Sequence, residues 1–196
     1  MGRVLLETER LVVRELGPDD VDDVFALNSD AEVMRYVNGG APVTRAEIAD
    51  EVLPTYLGYY ERFGGLGRWA VVEKATDRFV GILMLHPDPD GPLDDVELGY
   101  RFHRSAWGRG YATEGAFALL RKAFTDLGVR RVFAQAMAVN RGSWRVMEKV
   151  GLRYVRTFTY DGPEGLIEGA EHGDVEYATT REEWLAQHRR EHFGSL

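Results

Sequence analysis

The chain has 196 residues, a formal net charge of -8, 44% hydrophobic and 11% aromatic residues, and no cysteine. That length and apolar content support one folded domain with its own core and exclude a largely disordered chain. The acidic balance argues against general nucleic-acid binding, which needs clustered excess Lys and Arg, and the missing cysteines remove disulfides, thiolate nucleophiles and zinc-thiolate sites.

No run approaches the roughly 18 apolar residues of a membrane span, and the start, Met1-Gly2-Arg3-Val4-Leu5-Leu6-Glu7, meets an acid before any leader-like region builds. This pattern fits a soluble protein of the reducing cytoplasm. Arg10 to Leu16 reads as a strand. Gly17-Pro18-Asp19-Asp20 then opens a helix, with Val21, Val24, Phe25 and Asn28 at helical spacing. Asp19, Asp20, Asp22 and Asp23 are expected to be a solvated first turn favoured by the helix dipole, not a metal site. Asn38-Gly39-Gly40-Ala41-Pro42 breaks the chain before a second helical stretch from Thr44 to about Arg62, where Thr44 and Glu47 match a capping box and Pro54 should kink or split the helix.

Trp69 to Lys74 and Arg78 to Leu85 form a hairpin about Ala75-Thr76-Asp77, and the prolines of the segment from His86 to Pro92 predict a loop. Val96 to Phe102 alternates as a strand, with Val96, Leu98, Tyr100 and Phe102 on one face and Glu97, Gly99 and Arg101 on the other, so Glu97 is expected to face a cleft. From Thr113 the spacing turns helical through Phe117, Leu120, Phe124 and Leu127 until Gly128. Val132 to Ala138 is a further strand. Asn140 caps a helix carrying Trp144, Met147 and Val150, which Gly151 ends before a strand from Leu152 to Tyr160. The glycine-rich segment 161–173 reads as a mobile loop able to cover a site, Asp174 to Thr179 as a last strand, and Thr180 with Glu183 as the cap of a helix running to about His192.

The chemistry concentrates in Trp107-Gly108-Arg109-Gly110-Tyr111-Ala112-Thr113, two glycines between a strand and a strongly periodic helix. Without a Cβ, glycine lets backbone N–H groups approach an anion, and the helix beginning next adds unpaired donors and the positive end of its dipole. A dinucleotide fingerprint would need glycine where Thr113 stands, and a P-loop would need Gly-Lys-Ser or Gly-Lys-Thr. A pyrophosphate nest survives both exclusions, and Arg101, His103, Arg104 and Arg109 form a local basic cluster beside it. His188-Arg189-Arg190-Glu191-His192 matches the H-x-x-E-H zinc pattern, but a charged terminal helix explains it and no metal is expected.

At this point the chain resembles the GNAT superfamily almost end to end. The likeness runs through Thr8-Glu9-Arg10-Leu11 with Arg14, Glu32-Val33-Met34-Arg35-Tyr36, Trp69-Ala70-Val71, Phe79-Val80-Gly81 and Val96-Glu97-Leu98-Gly99-Tyr100. It continues through the glycine turn to Glu114, then Asn140-Arg141-Gly142-Ser143, Glu148-Lys149-Val150-Gly151-Leu152 and Glu182-Glu183-Trp184. The branch it is most similar to is that of ribosomal-protein-alanine N-acetyltransferases of the RimJ/RimL kind. The resemblance implies an α/β (α+β) fold over residues 1–196: a mixed, twisted, mostly antiparallel sheet of about seven strands flanked by helices. That sheet is splayed between its fourth and fifth strands to admit acetyl-CoA. In the family pattern Q/R-x-x-G-x-G/A the first place falls on Trp107, a departure, with Gly110 and Ala112 in the small-residue places. The anion must then rely on backbone donors and on Arg104 or Arg109.

The activity that the resemblance implies is that of an acetyl-CoA-dependent N-acetyltransferase acting on a primary amine, a protein N-terminal α-amine or a small molecule. Expected coenzyme contacts are Leu98, Tyr100, Phe102, Arg104, Trp107, Gly108, Arg109, Gly110, Tyr111, Ala112, Thr113, Asn140 and Ser143. Asn140 is also a favoured cap on its own account. Direct transfer is expected, with Glu97 as base, Ser143 beside the sulfur, and a backbone N–H near Leu98 to Phe102 for the oxyanion. The alternative from another class is a catalytically silent acyl-CoA-binding module. No nucleic acid or membrane partner is expected, and exposed sheet edges leave room for a homodimer.

Overall fold

The computed structural model describes residues 2–88, 91–159 and 167–188. β1 (Val4–Glu7) and β2 (Leu11–Glu15) are followed by α1 (Val21–Ser29), α2 (Ala31–Asn38), the single turn α3 (Arg45–Glu47) and α4 (Leu53–Arg62). β3 (Gly67–Glu73), β4 (Arg78–Pro87) and β5 (Asp95–Phe102) then form a meander, α5 (Tyr111–Thr125) crosses to β6 (Arg131–Met137), and α6 (Arg141–Lys149), β7 (Arg153–Phe158), β8 (Asp174–Thr180) and α7 (Arg181–His188) complete the fold. Among the described residues one eight-stranded sheet results, in the order β1-β2-β3-β4-β5-β6-β8-β7.

All neighbours are antiparallel except β5 and β6, which pair in parallel only over Asp95–Glu97 and Arg131–Phe133. Beyond Glu97 the two strands separate, and this splay positions the site. The expected opening between the fourth and fifth strands therefore lies between β5 and β6, because the sheet has eight strands and not about seven. The additional strand is β1, whose Val-Leu-Leu-Glu run has no alternation and whose neighbour among the described residues is β2.

β5 keeps the predicted alternation: Val96, Leu98 and Phe102 are buried, while Glu97, Gly99 and Arg101 are half-buried on the opposite face. The larger core lies between the sheet and α5, α6 and α7, centred on Leu98, Leu119, Phe124, Met147 and Trp184. A smaller one joins α1 to α4 to the other face through Val24, Leu27, Ile48, Ala70 and Ile82.

Several sequence expectations are revised. The loop expected at His86 begins later, because β4 continues to Pro87 opposite Val96. His103 N–H donates to Val80 O at 3.0 Å, which makes the pairs Val80–His103, Ile82–Arg101, Met84–Gly99 and His86–Glu97 the hydrogen-bonded ones. Pro87 falls in a non-bonded pair beyond the end of β3, where a missing donor is tolerated. The helix expected from Thr113 starts at Tyr111, with Gly110 as its cap. α2 is an element that the sequence reading lacks, although Asp30 caps it and Gly39 closes it in left-handed geometry. The split expected near Pro54 is present as a π-helical turn over Ile48–Val52, one turn upstream of the proline. Asp20 is not solvated: it is buried and accepts bidentate bonds from Arg14 at 2.7 and 2.8 Å. Tyr160 and the first part of the expected loop, residues 161–166, lie outside the described residues, as do residues 189–192 of the terminal helix.

Candidate active site

The splay opens a cavity of about 1060 Å³ that runs along β5 and is shared by two groups of side chains. At one end stand Trp107 and Gly108 from the β5–α5 turn and Ala112 from α5, with Asn140 at the cap of α6 and Ser143 and Met147 within it. At the other stand Glu32 and Tyr36 from α2, Tyr56 from α4, Arg68 from β3, His86 from β4, and Glu97 with Arg101 from β5.

The first end is built as an anion nest. Gly108 and Gly110 hold φ of +72° and +81°, values that only glycine adopts readily, and a Cβ on Gly108 would meet nothing within 4 Å. The first α5 donor with an intrahelical acceptor is Glu114, on Gly110 O at 3.0 Å, so the N–H groups of Tyr111, Ala112 and Thr113 precede the ladder. These donors, the dipole of a helix running to Thr125 and the open loop fit the pyrophosphate of acetyl-CoA.

The N-terminal motif braces this turn. Arg10 Nε donates to Glu114 Oε2 at 2.6 Å, Arg10 Nη1 to Arg109 O at 2.9 Å, and Thr8 Oγ1 to Glu114 Oε1 at 2.5 Å. Trp107 is a second brace: its Nε1 donates to Phe102 O at 2.8 Å and ties the turn to the end of β5.

Two members of the basic cluster are engaged by acids. Arg104 Nε is held by Asp30 Oδ2 at 2.8 Å, and Arg109 Nη2 by Glu73 Oε1 at 2.6 Å; neither lines the cavity. Tyr111 is buried with its hydroxyl donating to Glu73, so it too stands outside the cavity, as do the side chains of Arg109 and Thr113. Hydrogen bonds from Thr76, Tyr111 and Arg109 hold the Glu73 carboxyl at about 2. The partners Asp30 and Glu73 are remote in sequence, so local charge counting does not pair them off.

Asn140 acts as the cap of α6: its Oδ1 accepts from Ser143 N–H at 3.2 Å, while the residue also borders the cavity. Ser143 joins α6 to β5. Tyr100 O–H donates to Ser143 O at 2.6 Å, and Ser143 Oγ donates to the Tyr100 oxygen at 3.2 Å. Burial pushes the Tyr100 hydroxyl up, so it stays protonated throughout the physiological range.

At the second end, burial pushes the Glu97 carboxyl up from its usual range, with Arg68 opposing and Asp88 reinforcing the shift. His86, directly across from Glu97 on β4, is pulled down by burial and donates Nδ1–H to Pro87 O at 3.0 Å, which leaves Nε2 as the unprotonated nitrogen. Arg68 and His86 carry no signal in the sequence. Both sit on strands where facing depends on register, and neither belongs to a local motif. Strand geometry also fixes the backbone donors. Odd-numbered residues of β5 bond to β4, so Leu98 and Tyr100 turn their N–H groups to the gap left by β6.

A family model described as "Acetyltransferase (GNAT) domain" matches residues 10–153. The chain is 38% identical over 92% of its length to FsC-acetyl coenzyme A-N(2)-transacetylase of Aspergillus fumigatus, covering 77% of that protein. It is 28% identical to the uncharacterized N-acetyltransferase YoaA of Bacillus subtilis over 76% of this chain and 82% of that one. Among solved structures, a GNAT-family acetyltransferase from Bacillus anthracis superposes with a TM-score of 0.76 at 26% identity, covering 90% of this chain and 98% of the other. Spermidine N-acetyltransferase from Vibrio cholerae, solved with CoA and spermine, shares the fold at a TM-score of 0.72 and 17% identity, covering 91% and 99%. Splayed sheet, glycine nest and the family match over most of the sequence lead to one assignment: the chain belongs to the GNAT family and is an acetyl-CoA-dependent N-acetyltransferase.

Proposed function

We propose that the two ends of the cavity divide the labour of a direct acetyl transfer, with Glu97 serving the acceptor amine and Ser143 serving the sulfur. Bound acetyl-CoA supplies an activated thioester. Glu97 takes a proton from the acceptor ammonium, directly or through a water, and its raised affinity for protons suits that task near neutral pH. The gap-facing N–H groups of Leu98 and Tyr100 offer donors where charge builds on the acetyl oxygen. Ser143 can rotate its hydroxyl from the Tyr100 oxygen, 3.2 Å away, to hydrogen-bond the departing sulfur without losing the proton, while the bond from Tyr100 O–H to Ser143 O at 2.6 Å holds the residue in place. The thiolate leaves as such and takes its proton from solvent.

The α5 turn holds the pyrophosphate through the N–H groups of Tyr111, Ala112 and Thr113, with Gly108 and Gly110 giving the backbone its approach. Direct transfer needs no acyl-enzyme, and the commonest acyl-carrying nucleophile, cysteine, is absent from the sequence. Neutralising an α-amine at pH 7 costs about 1 kcal/mol, against roughly four to five for a lysine, so a low-pKa amine such as a peptide α-amine is the favoured acceptor class.

The observation that carries this reading is the half-buried Glu97 on the cavity face of β5, at the last residue before the strands separate. Glu97→Gln tests it. Calorimetry should show acetyl-CoA bound as in the wild type, while turnover on small α-amines falls by about 10²-fold or more. Undiminished turnover would remove Glu97 as base, and a wild type that binds acetyl-CoA without acetylating any amine would be a silent acyl-CoA-binding module.

A further inference from the structure

Arg68 differs from the arginines described above. It pairs with Met84, which pairs with Gly99, so it stands on the sheet face that carries Glu97 and Arg101. Its guanidinium lies over the rings of Tyr56 at 4.5 Å and Tyr59 at 5.9 Å. Among the described residues its buried Nε has no hydrogen-bond partner, and no carboxylate forms an ion pair with it. Arg10, Arg14, Arg104 and Arg109 each close on an acid.

Arg101, on the same face, is also held by neutral groups: it donates to Asn28 Oδ1 and hydrogen-bonds Tyr56. Two guanidiniums without carboxylate partners among the described residues therefore line the end of the cavity where the acceptor amine is placed. A partly desolvated guanidinium with a buried, unbonded Nε is incompletely satisfied, and the planar fork of arginine matches a carboxylate.

We propose that the acceptor is an amine that also bears a carboxylate, of the amino-acid type, with the carboxylate docked on Arg68 and the amine turned toward Glu97. This rests on the acetyltransferase reading of the cavity. Tyr56 and Tyr59 hold the guanidinium in place by stacking, and Arg101 adds positive potential from the next strand pair.

The test measures coenzyme A release by the wild type, Arg68→Met and Arg68→Lys over the L-amino acids, their carboxamides, O-phosphoethanolamine and spermidine. In parallel, coenzyme A-loaded protein is titrated with N-acetyl-L-amino acids and with their carboxamides. In the titration, where no amine titrates, the wild type should prefer the carboxylates by roughly tenfold or more, the scale of one charged hydrogen bond, and turnover should show the same preference once rates are compared per unprotonated amine. Arg68→Met should abolish that preference by raising KM for carboxylates far more than for carboxamides, whose rate changes only as far as the loss of a positive charge beside Glu97 shifts the acid limb, and Arg68→Lys should retain part of it. A misfolded Arg68→Met would lose the carboxamide rate as well, and Arg68→Lys then decides.

Preference for carboxamides, O-phosphoethanolamine or spermidine would overturn the inference and leave the transferase intact. So would a carboxylate preference unchanged in Arg68→Met. Carboxylate-selective titration with no turnover on any amine would support the docking site and sink the transferase reading instead.

Discussion

Gly108 and Gly64 make a matched pair for testing the coenzyme nest. Both are left-handed, at φ +72° and +60°, and a Cβ on either would meet no atom within 4 Å. Alanine at either place thus introduces backbone strain without overlap, about 1–2 kcal/mol for an L residue in that region. For a chain of this size each substitution should lower the melting temperature by roughly 2–8 °C. The two variants part at the coenzyme, because Gly108 borders the cavity and Gly64, between α4 and β3, does not. In Gly108→Ala the free turn can relax its strain, and binding a pyrophosphate must restore it. The part of the strain that the free turn sheds, and that the melt therefore does not show, reappears as lost acetyl-CoA affinity, up to roughly 5- to 30-fold. Gly64→Ala should bind acetyl-CoA as the wild type does. Isothermal titration beside thermal melts reads both quantities, and a Gly108→Ala that melts above Gly64→Ala yet binds acetyl-CoA as the wild type does would refute the nest.

Three other outcomes are expected. The acid limb of the kcat/KM profile should lie above the ordinary carboxylate range, since burial raises Glu97, and should vanish in Glu97→Gln; a limb that survives unchanged points to His86 instead. Tyr100→Phe removes bonds of 2.6 and 3.2 Å between β5 and α6, worth about 1–2 kcal/mol together, so its urea midpoint should drop and KM for acetyl-CoA should rise. Glu73 is depressed from 4.5 to about 2 in the fold, so its stabilisation is complete above the unfolded value and fades as pH falls toward the folded one. The gap in urea midpoint between wild type and Glu73→Gln should accordingly narrow from pH 7 to about pH 3, and a gap that widens on acidification would contradict the sign.

Elements whose signals are local are legible in the sequence. The capping boxes at Thr44 and Thr180 are both formed, with Glu47 and Glu183 accepting from their cap residues. The alternation of Val96 to Phe102 yields the correct faces of β5, and hence the exposure of Glu97 to the cavity. Tertiary pairings are not legible. In sequence Asp20 resembles any first-turn acid, and only the fold sets Arg14 against it; Arg104 and Arg109 read as free cations, yet Asp30 and Glu73 claim them. Arg68 shows the converse: a surface-like arginine beside a buried tryptophan, whose meaning depends on the register of β3 against β4.

Register is also what joins the fold to its chemistry. Val96, Leu98 and Phe102 are at most 5% exposed, and burying such side chains is worth about 1.5–3 kcal/mol each. A one-residue slip of β5 against β4 would turn all three toward the cavity, turn Glu97 and Arg101 into the core, and exchange which N–H groups face the gap. The apolar alternation that holds β5 in the core thus fixes three other things at once: the base on the acceptor side, the guanidinium beside it, and the donors of Leu98 and Tyr100 at the opening. Substitutions of the buried set should therefore disturb turnover as well as stability, although none of those side chains carries a group that takes part in proton transfer.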